Sequence, residues 1–277
     1  MYSLYYDYRK FERIVNNYDG SDVLDASKNS FLAPTTLIPL LCFIRENQIK
    51  FIKLNDRTED YVSRILNGKK TSTTTPYTIL PNTSEERENN GVASNIAEKI
   101  NYNTYGGKQS IYHVCNELIS NVYDHTPFEK GYANQGYTYA QEYPKERKLD
   151  ICVMDDGLSI PGKFEMHSVD FSDDCEAIYK AINHFSTEKE DSISPRYSRG
   201  NGLWSTLRLV IDGNQGSALI VSRNGCLHIR KKDSYKYYHL DNSNIFSGTL
   251  VSLRFKDNLV QNFYELNEID DKFCYKY

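Results

Sequence analysis

Ile111-Tyr-His-Val-Cys-Asn-Glu-Leu-Ile-Ser-Asn-Val-Tyr-Asp-His125 carries two patterns at helical period. Ile111, Val114, Cys115, Leu118, Ile119 and Val122 form one apolar stripe. His113, Glu117, Asn121 and His125 follow each other at steps of four and form a polar row beside it. A Glu and an Asn next to a buried face are costly to desolvate unless something pairs with them. Three readings of the row stand side by side. It is a polar edge on a core helix, or His, Glu and His ligate zinc or iron. In the third, Asn121 is the one protein ligand of a hydrated magnesium whose other ligands are phosphates and waters, and Glu117 orients or deprotonates the attacking group.

The downstream sequence favours the third reading. Leu149-Asp-Ile-Cys-Val-Met-Asp-Asp-Gly-Leu-Ser-Ile-Pro161 alternates as a strand and then breaks at Asp155-Asp156-Gly157. A carboxylate at a strand end followed by Gly suits a ligand loop better than a tight hairpin. Ser198-Arg-Gly-Asn-Gly-Leu-Trp-Ser-Thr-Leu-Arg-Leu-Val210 sets two glycines ahead of a helical pattern. There backbone N–H groups can approach phosphate oxygens. Gly248-Thr-Leu-Val-Ser-Leu-Arg-Phe255 is a further alternating strand, opened by Gly-Thr.

Taken in order, Glu117-x-x-x-Asn121, Asp155-x-Gly157, Gly200-x-Gly202-Leu203 and Gly248-Thr249 resemble the four sequence boxes of the GHKL ATPases. That superfamily includes gyrase, the large heat-shock chaperones, histidine kinases and the mismatch-repair clamps. The resemblance covers residues 91–256. Asn121-Val-Tyr-Asp-His-Thr-Pro127, Arg199-Gly-Asn-Gly-Leu203 and Asp174-Cys-Glu-Ala-Ile-Tyr-Lys-Ala-Ile182 are similar to the anti-sigma-factor serine kinases and related stand-alone bacterial ATPases. One departure stands out: Ser159 occupies the place of the family's second glycine in the first glycine box. Serine lacks the backbone freedom of glycine, so the resemblance allows a reduced hydrolysis rate or an altered lid.

The resemblance implies an α+β fold of Bergerat type. This is a two-layer sandwich in which a mixed, mostly antiparallel sheet is covered by helices on one face, with an ATP lid over about 158–199. It implies ATP or ADP with Mg2+ as cofactors. Asp155 would accept the adenine amino group, supported by Thr249, with Gly157 and Ile160 in the same loop. Asn121 would bind magnesium and Glu117 would be the base or its positioner. Arg199, Gly200, Gly202 and Leu203 would meet the phosphates, and Asp124 and His125 would line the nucleotide. His113 reads as a core-edge histidine.

Residues 1–70 read as strand, helix, strand, helix. Short strands are expected at Ser21–Asp25 and Ser30–Leu32, an apolar helix over Pro34–Glu46 with Pro34 in its first turn, a strand over Gln48–Leu54, and a capped helix over Thr58–Gly68. The order resembles a STAS domain, the partner fold of the anti-sigma kinases. Where such domains carry a phospho-acceptor serine turn, this chain has Ala33-Pro-Thr-Thr36, which points to docking or structure. Residues 71–90 are polar and read as a linker or exposed excursion. A helix is expected near Val92–Ile100 and a strand around Tyr137 and Tyr139. A hairpin is expected to turn at Asn224-Gly225, with the basic cluster Arg223–Lys236 as its solvated face. The tail 257–277 carries no signal.

The net charge of −4 argues against a broad nucleic-acid surface. No apolar run approaches the roughly 18 residues of a membrane span, and the first ten residues do not resemble a signal peptide. Six cysteines without a Cys-x-x-Cys pair suit free thiols in a reducing cytoplasm. The resemblance leaves three activities open. These are a serine/threonine kinase acting on a STAS-like partner, an ATPase switch that opens and closes a homodimer, and a non-catalytic ATP or ADP sensor.

Overall fold

A computed structural model of the chain describes residues 3–79, 91–99, 104–125, 135–183, 202–241 and 247–257. The first described helix is α1 (Leu4–Val15), in a segment for which the sequence pattern predicts no element. Ser3 caps it, its side chain accepting from the Tyr6 N–H, and Leu4, Tyr8, Phe11 and Ile14 share the buried face. β1 (Val23–Asp25) and β2 (Phe51–Lys53) pair in parallel around α2 (Pro34–Glu46), which begins with proline as expected. α3 (Asp56–Leu66) follows, capped by Asn55. Ser30–Leu32 forms no strand.

A seven-stranded antiparallel sheet makes the rest of the frame. Its strands are β3 (Thr74–Ile79), β4 (Gly136–Tyr143), β5 (Lys148–Asp155), β6 (Ser217–Ser222), β7 (Gly225–Lys231), β8 (Ser234–His239) and β9 (Thr249–Lys256), ordered β3-β4-β5-β9-β6-β7-β8. β3 lies within 71–90, where a linker was expected. Thr74 and Thr75 are buried there, and β-branched threonine suits a pleated surface. Pro76 is tolerated because β3 is an edge strand.

One face of the sheet carries α4 (Val92–Glu98), α5 (Gly107–His125), α7 (Asp174–Ile182) and α8 (Gly202–Arg208); α6 (Ser159–Met166) leads from β5 to α7. The stripe Ile111, Val114, Cys115, Leu118, Ile119 and Val122 on α5 packs there against Leu149, Ile151 and Val153 of β5. The expected restriction of helices to this face does not hold. The alternate β5 residues, Cys152 and Met154, join Leu219 and Val221 of β6 in a second core with Leu4, Tyr8 and Phe11 of α1 and Leu37 and Ile38 of α2. The molecule is therefore three layers deep, helix, sheet, helix. The uninterrupted run Ile151-Cys-Val-Met154 is what a strand covered on both faces requires.

A buried ion network locks α1 to the sheet. Arg254 on β9 donates to both oxygens of its register partner Asp150 at 2.7 and 2.8 Å, and reaches Asp7 at 3.4 Å. On the same face, the Thr35 and Ser252 hydroxyls meet at 2.6 Å, and the Thr36 hydroxyl donates to the Asp7 carbonyl at 2.7 Å. Among the described residues no helix is long and apolar enough to cross a membrane, and the five described cysteines are free and buried.

Candidate functional site

The first glycine box closes the end of β5. The Asp155 carboxylate accepts the Gly157 N–H at 2.8 Å and a backbone N–H from Thr249. Despite these donors, burial pushes its pKa up to about 6, because an ionised carboxylate is poorly solvated there. The Thr249 hydroxyl lies 2.9 Å from that of Ser222, its register partner on β6, and the Ser222 oxygen accepts the Ile160 N–H at 2.9 Å. Asp155, Gly157, Ile160 and Thr249 thus meet in one hydrogen-bonded group. Gly248 is required there, because a Cβ would collide with the Asp155 carbonyl.

Ser159 sits at φ +68°, the left-handed region that glycine favours. It is 8% exposed, and its hydroxyl oxygen accepts the Gly162 N–H at 3.1 Å. The serine therefore keeps the backbone shape of a glycine and offsets part of its steric cost with a hydrogen bond.

The α5 row lies where its periodicity places it: His113, Glu117 and Asn121 are half-buried beside the stripe. Gly202, the first residue of α8, packs so closely on Glu117 that an added Cβ would meet the carboxylate oxygen. The second glycine box is thereby brought onto the first of the four motifs. One turn on, about 6 Å along the axis, Asn121 precedes Val122. A Cβ at Gly136 would lie 2.6 Å from the Val122 side chain, and Gly136 is the β4 partner of Asp155. One glycine thus separates the α5 turn that bears Asn121 from the strand end that bears Asp155. Leu203 packs partly buried against the core. Arg199 and Gly200 lie outside the described residues, as do 184–199 of the expected lid and the side chains of Asp124 and His125.

Two further groups bring ligand-type atoms within 4.8 Å of one another: Asp173, Cys175 and His239, and Cys42, Glu46 and Asp156. In the first, one Asp173 oxygen caps α7 through the Cys175 and Glu176 N–H groups, and the Cys175 sulfur contacts the Tyr238 carbonyl at 3.3 Å. In the second, the Arg45 guanidinium already supplies a cation to Asp156. The expected solvated basic cluster includes the buried His228, and Arg223 is paired with Glu165.

Sequence reasoning missed Gly136, Ser222 and Arg45. Each matters through strand register or layer packing, which no local pattern displays. A scan against protein-family models finds no match to this chain, and a search of curated proteins finds no relative.

Proposed function

We propose that the chain is a magnesium-dependent ATP-binding regulatory protein of GHKL type that transfers the γ-phosphate to a serine or threonine of a protein partner. One observation carries the reading: four motifs remote in sequence converge at one end of the sheet. Asp155 and Thr249 share a hydrogen-bonded group, Glu117 touches Gly202, and Gly136 bridges the Asn121 turn to the Asp155 strand. In this reading Asp155 accepts the exocyclic amine of adenine, Asn121 holds Mg2+, and Glu117 orients or deprotonates the acceptor hydroxyl. Gly202 and Leu203 would meet the phosphates, as the resemblance also implies for Gly200. A partner with a STAS-like fold fits the resemblance of residues 1–70 to that class. The left-handed Ser159 supports an intact first glycine box, since the backbone conformation that glycine would supply is retained.

The test is thermal melting with Mg-ATP, Mg-ADP and Mg-GTP, followed by labelled-ATP assays with candidate partners. A ligand at about a hundred times its dissociation constant stabilises by about 2.7 kcal/mol, a rise of about 5–10 °C at this size. Glu117→Ala should bind nucleotide but lose turnover. No shift with any adenine nucleotide would refute the reading. Binding without turnover by the wild type would leave a nucleotide sensor, and partner-free hydrolysis would leave an ATPase switch, with a homodimer as its natural form.

A further inference from the structure

The loop that carries Asp155 is held from the opposite layer of the molecule. Asp156, the next residue, is 4% exposed and ion-paired with Arg45 in the last turn of α2. Its carboxylate also accepts the Gln135 N–H at 3.2 Å, and its carbonyl accepts the Ser247 hydroxyl at 3.1 Å. Gln135 enters β4 and Ser247 precedes β9, while Asp155 itself ends β5. Three strand boundaries therefore meet on one buried residue, and the same boundaries carry the Gly157 and Thr249 donors of Asp155. The Arg45 guanidinium also lies over the Tyr137 ring of β4, 5.8 Å from its centre. Glu46 and Cys42 of α2 complete the surroundings, the Cys42 thiol donating to Glu46 at 3.5 Å.

A buried carboxylate stays in place when a cation compensates it, and moves toward water when that cation is removed. The Asp156 carboxylate cannot swing toward water without releasing the Gln135 N–H, and any shift of its backbone releases the Ser247 hydroxyl. We propose that Arg45 is a positioning residue for the base pocket: α2, acting through Asp156, sets the placement of Asp155 and hence the affinity for adenine nucleotide. This rests on the ATP-binding reading above. It makes the N-terminal layer part of the nucleotide site, so that a partner gripping α2 could change nucleotide affinity without touching the nucleotide.

The test uses the full chain as wild type, Arg45→Gln, Arg45→Ala and Arg45→Lys, read by amide hydrogen exchange without ligand and by calorimetry with Mg-ATP. Arg45→Gln and Arg45→Ala should speed exchange at 135–137, 155–157 and 247–250 while the β6–β7 core keeps its protection. ATP affinity should fall about tenfold or more, the scale of one lost charged hydrogen bond, and Arg45→Lys should restore most of it. Exchange unchanged at the three boundaries would overturn the proposal. So would an equal rise everywhere, which marks simple destabilisation, or unchanged affinity in a protein that binds ATP. If the wild type binds no ATP, the functional reading fails. The exchange pattern then decides the positioning role of Arg45 alone.

Discussion

Asp155→Asn should move stability and nucleotide affinity in opposite directions, a pattern that few structural defects imitate. Burial raises the Asp155 pKa from the ordinary 3.8 to about 6. The folded value lies above the unfolded one, so folding takes up a proton between them. The ionised carboxylate therefore destabilises the ligand-free protein above about pH 6, and this cost fades as pH falls toward 3.8. At 1.36 kcal/mol per unit, the cost is about 3 kcal/mol at pH 7 and about half that at pH 5. Asparagine removes the charge and keeps one acceptor oxygen, but gives up one of the Gly157 and Thr249 bonds, about 1 kcal/mol.

The net expectation at pH 7 is a gain of about 2 kcal/mol, or about 4–8 °C in melting temperature. Most of it should be gone by pH 5. ATP affinity should drop about ten- to a hundredfold, since an amide nitrogen now faces the adenine amine, and the preference for ATP over GTP should vanish. Calorimetric melting at pH 5, 6 and 7, with titrations of both nucleotides at pH 7, reads all three quantities. A variant less stable than the wild type at pH 7, or a gain that does not shrink with pH, refutes the desolvation argument. Unchanged ATP affinity refutes the base-site assignment and leaves Asp155 as a cap on the Gly157 turn.

Gly202→Ala places a methyl group on the Glu117 carboxylate, whose free end can swing aside. Melting should change by less than about 1 kcal/mol, while turnover, measured with labelled ATP, should fall about a hundredfold, the scale of a misplaced catalytic group. Ser159→Ala loses the acceptor for the Gly162 N–H yet keeps the left-handed backbone, so urea unfolding should show a loss of about 1–2 kcal/mol. Ser159→Gly loses the same bond but relieves the strain, and should fall within about 0.5 kcal/mol of the wild type. Asp150→Ala removes the carboxylate that accepts twice from the buried Arg254 guanidinium, while Asp7 stays at 3.4 Å; denaturant titration should show about 3–5 kcal/mol of destabilisation.

The elements around the site were legible where a single segment holds its own signal. The α5 stripe is read from period alone, and Pro34 and Asn55 mark helix starts by local chemistry. Tyr137 and Tyr139 alternate on β4 as expected. The hairpin between β6 and β7 exists, but it turns at Arg223-Asn224, with Gly225 already paired to Ser222. Gly225 packs against the Asp174 carbonyl, where a Cβ would stand at 2.6 Å, so this glycine serves a tertiary contact rather than the turn. β3 was hidden because its Thr and Pro residues occur in loops as well as in edge strands. α1 was hidden because three tyrosines within its first five residues, Tyr5, Tyr6 and Tyr8, mask the spacing of Leu4, Tyr8 and Phe11.

The candidate site was legible as a list of motifs and not as an arrangement. Ser222 becomes the partner of Thr249 only after the chain has crossed from β6 to β9, and Gly136 becomes the bridge to Asp155 only through the β4–β5 register. The second helical layer has the same origin. Apolar residues on both faces of β5 demand cover on both, but nothing in β5 says that residues 1–70 provide it. Once α1 and α2 take that role, the face formed by Cys152, Met154, Leu219 and Val221 is sealed from water, and Arg45 arrives beside Asp156 as a consequence. The helices that complete the core are thus the ones that reach the loop next to Asp155. A polar contact at the end of α2 then has leverage that a contact on an independently tethered domain would lack, because α2 cannot shift without disturbing the packing of the sheet that bears the site.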